Sequence, residues 1–204
     1  MFKRVFVALA VMAFAVVGLS FSPAQAAPST KANQPTCFTD NSGSTCVRKG
    51  SAFTIVNDGP DEYGGVYVEN QSLAGKPVSE ISELGFGYSG AVSGGSPRYS
   101  IPIIDAENND GYLFIDAASC NDGAGNVAPL TDPTCVVSGY TWEETSPGVY
   151  EPVSFYYESW AAFLAGRGAE LTVNEGYAFI IADQPGTVTV SDVKLSRTPP
   201  GKTK

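Results

Sequence analysis

Arg98-Tyr99-Ser100-Ile101-Pro102-Ile103-Ile104, Asn108-Asn109-Asp110-Gly111 and Tyr112-Leu113-Phe114-Ile115-Asp116-Ala117 together decide the fold. Tyr99, Ile101 and Ile103 alternate with other residues, the two-residue period of a strand with one buried face. Asn, Asp and Gly tolerate positive φ, so residues 108–111 read as a hairpin turn. Tyr112 to Ala117 returns, with Tyr112, Phe114 and Asp116 on one face. Pro102 has no N–H to give a ladder, which points to a sheet edge or a bulge.

The same pattern extends in both directions. Ala52 to Asn57 and Gly65 to Glu69 read as strands, the second with Val66 and Val68 on one face and Tyr67 and Glu69 on the other. Glu83 to Ser89 reads as a glycine-rich strand. Cys135 to Trp142 and Val153 to Tyr157 form a second hairpin across Glu143 to Pro152. Ser159 to Ala165 is the one short helix. Leu171 to Val173, Gly176 to Asp183 and Gly186 to Leu195 complete the strands. Val188 and Val190 share one phase, and Val193 and Leu195 the other. That slip at Ser191-Asp192 predicts a β-bulge. About ten short strands with closely spaced turns predict an all-β, antiparallel two-sheet sandwich of jelly-roll type, with one short helix near 159–166.

The flanks read differently. Lys3 and Arg4 precede the apolar run Val5 to Phe21, and Ala24-Gln25-Ala26 supplies small residues, so 1–27 reads as a cleavable signal peptide. The mature protein is then expected to be secreted, with no membrane association. Residues 28–50 read as a linker tied by a disulfide, 51–196 as the sandwich, and 197–204 as a disordered tail. Four cysteines in an exported chain predict two disulfides. Of the three pairings, the local one is preferred here: Cys37 with Cys46 and Cys120 with Cys135.

The series Gly95-Ser96-Pro97-Arg98-Tyr99-Ser100-Ile101, Asp110-Gly111-Tyr112-Leu113-Phe114, Trp160 to Phe163, Tyr177 to Ile181 and Val188 to Leu195 resembles secreted bacterial β-sandwiches of the galactose-binding-like, jelly-roll type. Many carbohydrate-binding modules close with a glycine, an alternating strand, Asp or Asn, then Val-x-Leu, as residues 186–195 do. The resemblance spans roughly residues 51–196 and implies a two-sheet fold and ligand binding.

Composition excludes several chemistries. The chain has no histidine, so Ser-His-Asp triads, Cys-His pairs and imidazole metal sites are unavailable in their ordinary forms. A formal net charge of −9 repels phosphate backbones and argues against nucleic-acid partners. No glycine-rich loop leads into a Lys-Ser/Thr pair, so no phosphate loop is present. Glu143, Glu144, Glu151 and Glu158 lie near Trp142 and Trp160 without the paired spacing of jelly-roll glycosidases.

Two constellations remain. Tyr140, Trp142, Glu143, Glu144 and Tyr150 cluster around the second hairpin, with Trp142 expected at its tip. Sugars pack C–H faces on flat rings while acids bind their hydroxyls, so this group is a candidate sugar platform. The competing reading places the rings in the core. Asp105, Glu107, Asn109 and Asp110 are candidate oxygen ligands for a structural calcium, and Asn121, Asp122 and Asn126 are a second set. No cofactor is otherwise required. The first functional reading is a non-catalytic binding domain for extracellular or cell-wall carbohydrate. The alternatives are a structural or protein-interaction sandwich and a carboxylate-dependent glycosidase or lyase.

Overall fold

The computed structural model describes residues 34–198, apart from 41, 42, 91 and 121–124. The expected signal peptide lies outside the described residues, as do Asn121 and Asp122 of the second calcium set, whereas Asn126 of that set is described. Among those described, the strands in chain order begin with β1 (Thr36–Thr39), β2 (Thr45–Lys49), β3 (Ala52–Asn57), β4 (Gly64–Glu69) and β5 (Ile81–Gly90). Next come β6 (Arg98–Ile104), β7 (Asp110–Asp116), β8 (Asn126–Val127), β9 (Val137–Ser146) and β10 (Val149–Tyr157). Helix α1 (Trp160–Arg167) precedes β11 (Thr172–Val173), β12 (Tyr177–Ala182) and β13 (Gly186–Arg197).

The larger sheet runs β1-β4-β12-β6-β7-β9-β10, with β11 also on β6; the smaller runs β2-β3-β13-β5-β8. All pairings are antiparallel. Strands β3-β13-β5-β8 and β4-β12-β6-β7 form the interleaved connectivity of a jelly roll, because β3 through β6 alternate between sheets and β12 and β13 return between earlier strands.

Alternation builds the core. Phe53 and Ile55 of β3, Val188 and Val190 of β13, and Leu84 and Phe86 of β5 point inward from the smaller sheet. Val66, Val68, Tyr99, Ile101, Ile103, Leu113, Ile115 and Ile180 meet them from the larger. Each such aliphatic or aromatic side chain contributes on the order of 1.5–3 kcal/mol by leaving water. The expected bulge appears as a register shift between Ser191 and Lys194, with Asp192 at φ 49°. The Tyr99 hydroxyl crosses the core and donates to the Lys194 carbonyl just beyond it at 2.8 Å.

Three expectations need correction. Segment 28–50 is not a linker over its described part: β1 joins the larger sheet and β2 the smaller. Arg197 does not begin a loose tail but ends β13, and its Nε donates to Glu80. Pro102 is neither at an edge nor in a bulge; β6 is an interior strand, flanked on one side by β7 and on the other by β11 and β12. The Pro102 carbonyl accepts from Asn174 N in the break between β11 and β12. Its missing N–H therefore faces a gap in the neighbouring ladder, where no partner strand needs it.

Both disulfides pair locally, Cys37–Cys46 and Cys120–Cys135. The first joins β1 to β2 and so links the two sheets at one flank. The helix falls within a residue or two of its expected place. Ser159 Oγ caps it by accepting from Ala162 N at 3.2 Å, and Trp160 and Phe163 face the core.

Candidate functional site

The outer face of the larger sheet is aromatic. Residues out of phase with the core include Phe38 on β1, Tyr67 on β4, Tyr177 and Phe179 on β12, Tyr112 and Phe114 on β7, and Tyr140 and Trp142 on β9. Register sets them side by side: Phe179 opposes Tyr67, and Tyr112 opposes Tyr140. Two ring clusters result. Phe38, Tyr67, Tyr177 and Phe179 pack at centroid separations of 5.2–5.7 Å. Tyr112, Phe114, Tyr140 and Trp142 pack at 5.6–6.1 Å. Glycine at 65 makes this possible on the β1 side, since a Cβ there would collide with the Phe38 ring.

Between the clusters lies β6, whose outward residue at the centre is the small Ser100. Phe179 and Phe114 both oppose Ser100 from its two sides. A groove of about 400 Å³ results, lined by Phe38, Tyr63, Arg98, Ser100, Tyr112, Phe114, Tyr140 and Phe179, among others. Ser100 has no exposed surface, and its Oγ has no hydrogen-bond partner among the described residues. Leaving a buried hydroxyl unpaired costs about 1–3 kcal/mol.

Arg98 sits one pair of residues along β6. Its Nη2 meets Asp183 Oδ2 at 2.6 Å, and its guanidinium carbon lies 5.3 Å from the Phe114 ring centroid. Asp183 Oδ1 has no partner among the described residues. The ion pair neutralises Arg98 and leaves it spare N–H donors, since a guanidinium carries five.

Past the Tyr112 end of the groove the sheet carries exposed carboxylates, none of which lines it. Glu69 opposes Tyr177 across β4 and β12, and Asp110 precedes Tyr112 on its outward face. Asn174 Nδ2 donates to Asp110 at 2.8 Å. Burial first, and then the neighbouring carboxylates Glu69 and Glu175, raise the Tyr67 phenol above its ordinary range. Burial likewise leads for Tyr112, followed by Tyr140, Glu175 and Asp110. For Tyr177 burial is followed by a hydrogen bond and charge from Glu175.

The expected sugar-platform residues divide between two faces. Tyr140, Trp142 and Glu144 share the outer face, with Tyr150 opposite Glu144. Glu143 points the other way, accepts from the buried Thr141 hydroxyl at 3.0 Å, and opposes Glu151. Trp142 is not at the hairpin tip. The strands run on to Ser146 and from Val149, leaving Pro147-Gly148 as the turn, with Gly148 at φ 77°. Trp142 lies within β9 opposite Pro152 and is 43% exposed. Glu144 accepts from Gly148 N and serves the turn.

The expected calcium ligands close a hairpin instead of converging on a point. Asp105 accepts from the backbone N–H groups of Glu107 and Asn109 and from Asn109 Nδ2, at 2.8–3.0 Å. Among the described residues no group of three or more acidic or Cys side chains is placed to hold a metal.

Sequence reading missed Arg98, Ser100 and Phe179 as parts of one site. Their outward phase was readable, as it was for Tyr112 and Phe114. Their adjacency depends on strand order, which no local pattern encodes. A second cleft, about 440 Å³, lies over β5, β8 and β13, but among the described residues Phe86 is the only ring in its lining. Comparison with protein-family models, characterised proteins and solved structures finds no match to this chain.

Proposed function

We propose that this protein is a secreted, non-catalytic binding domain whose ligand is an extracellular or cell-wall carbohydrate, held on the outer face of the larger sheet. The observation that carries the reading is the groove itself: two aromatic walls, a floor at Ser100 with an unpartnered buried hydroxyl, and a charge-neutralised Arg98. Ring faces match the C–H faces of a sugar, and the floor and guanidinium match its hydroxyls. Two disulfides suit an oxidising compartment, and among the described residues no helix is long and apolar enough to cross a membrane.

Affinity electrophoresis of the purified protein against a panel of soluble polysaccharides, with Trp142→Ala in parallel, tests this. Retardation by at least one polysaccharide, weakened in the folded variant, is expected. Unretarded migration throughout the panel would remove the reading. A protein-interaction role is the second reading, favoured by the free edge at β10, where Val149, Tyr150, Val153 and Tyr156 are exposed. Failure of the polysaccharide panel together with capture of a folded protein partner by that edge would establish it.

A further inference from the structure

Two strand edges stand open, one on each sheet. Strand β10 ends the larger sheet and β2 ends the smaller, and no described strand pairs with the outer side of either. An open edge is a row of backbone donors and acceptors ready for another chain. Apolar side chains gather at these two edges. Apart from Tyr63, the exposed large apolar residues among those described are Val47 on β2 and Trp142, Val149, Tyr150, Val153 and Tyr156 on the β9–β10 hairpin. None of these lines the aromatic groove.

The two edges carry opposite charge. The hairpin has Glu143, Glu144 and Glu151 and no Lys or Arg from 137 to 157. Glu143 and Glu151 stand directly opposite each other across β9 and β10, a like-charge pairing that costs stability. None of the ion pairs among the described residues relieves it. On β2 the Arg48 side chain turns back to the Gly50 and Pro35 carbonyls. Lys49 is exposed and joins none of those ion pairs. Charge thus guards each edge against its own kind, while the unlike pair attracts.

We propose that β2 of one copy adds antiparallel to β10 of a second copy, so that the chain assembles head to tail. One register fits both edges. Val47 and Lys49 share a face of β2, and Glu151 and Val153 share a face of β10. With Val47 opposite Val153, Lys49 falls opposite Glu151, whose neighbour across the hairpin is Glu143. That alignment covers two exposed apolar side chains and brings a cation to the uncompensated carboxylates. The contact leaves one edge of each kind free, so addition continues until a ring closes or a fibre grows. The proposal names the partner of the β10 edge and does not depend on the carbohydrate reading of the groove.

Sedimentation velocity of the purified protein over a concentration series, at low and high salt, tests this. The mean mass is expected to rise with concentration at low salt, and less so at high salt, where screening weakens the attraction. Lys49→Glu and Glu151→Lys, each checked by its melting curve, are each expected to weaken self-association roughly tenfold. An equal mixture of the two variants is expected to restore it, because each then offers the other an edge of opposite charge. Lys76→Glu makes the same change of charge as Lys49→Glu but lies on neither strand, and is expected to leave assembly unchanged.

A protein that stays monomeric at every concentration in low salt overturns the proposal. So does assembly that survives both edge substitutions, which would place the contact elsewhere. Equal loss in Lys76→Glu and Lys49→Glu would mean that net charge alone sets association. A mixture that fails to recover would mean that Lys49 and Glu151 do not meet. Either result also overturns it, and none of these outcomes bears on polysaccharide binding.

Discussion

Ser100 sits where folding and the proposed ligand binding make opposite demands. Its hydroxyl is buried between Phe114 and Phe179 with no hydrogen-bond partner among the described residues. Methyl would be the better group for stability alone, since an unpaired buried hydroxyl costs about 1–3 kcal/mol. Ser100→Ala should therefore raise the melting temperature while weakening polysaccharide binding. The two readouts separate a ligand-facing hydroxyl from a structural one. A variant that is less stable would show that the hydroxyl has a partner in the folded chain, and one that is more stable with unchanged binding would place the ligand elsewhere. Arg98 shows a related economy: Asp183 fixes its charge and Phe114 its plane, leaving its remaining N–H donors free.

At the scale of elements, the two-residue period made most of the architecture legible. The β6–β7 hairpin, the β13 bulge and the capped helix stand where alternation, Asn-Asp-Gly chemistry and a Ser before an apolar helix put them. The outward phases of Tyr67, Tyr112 and Phe114 were equally readable. Two things were not. The segment rich in Pro, Ser and Thr around Cys37 and Cys46 lacks a strong alternating pattern, yet it pairs because β4 and β3 offer edges and the disulfide holds β1 and β2 together. The position of Trp142 was misjudged because Glu143 to Ser146 are polar on both faces. In this structure they continue as a hairpin that projects with most of β10 exposed, so burial cannot mark the strand. The candidate site needed strand order as well, since β4, β12, β6, β7 and β9 come together only through the jelly-roll interleaving.

For the whole molecule, the tyrosines tie stability to pH. Burial drives the Tyr99 phenol far above its ordinary range, and Tyr67, Tyr112 and Tyr177 are raised as well. Unfolded phenols titrate at about pH 10. A folded pKa above the unfolded one gives a stabilisation that is complete below the unfolded value and is lost as pH rises toward the folded value. The melting temperature should therefore fall above about pH 10, and part of the phenolate absorbance should appear only as the strands unfold. Complete phenolate titration with the fold intact would contradict the burial of Tyr99.

The aromatic outer face also provides its own reporter. Of the two tryptophans, Trp142 is 43% exposed beside Tyr140 and Trp160 is 5% exposed in the core, so quenching of tryptophan fluorescence by acrylamide reads chiefly Trp142. The most direct measurement is that quenching with and without a saturating soluble polysaccharide that the protein retains. Protection of the accessible component on binding is the predicted result. Unchanged quenching with the polysaccharide bound would place the ligand away from this face and contradict the account.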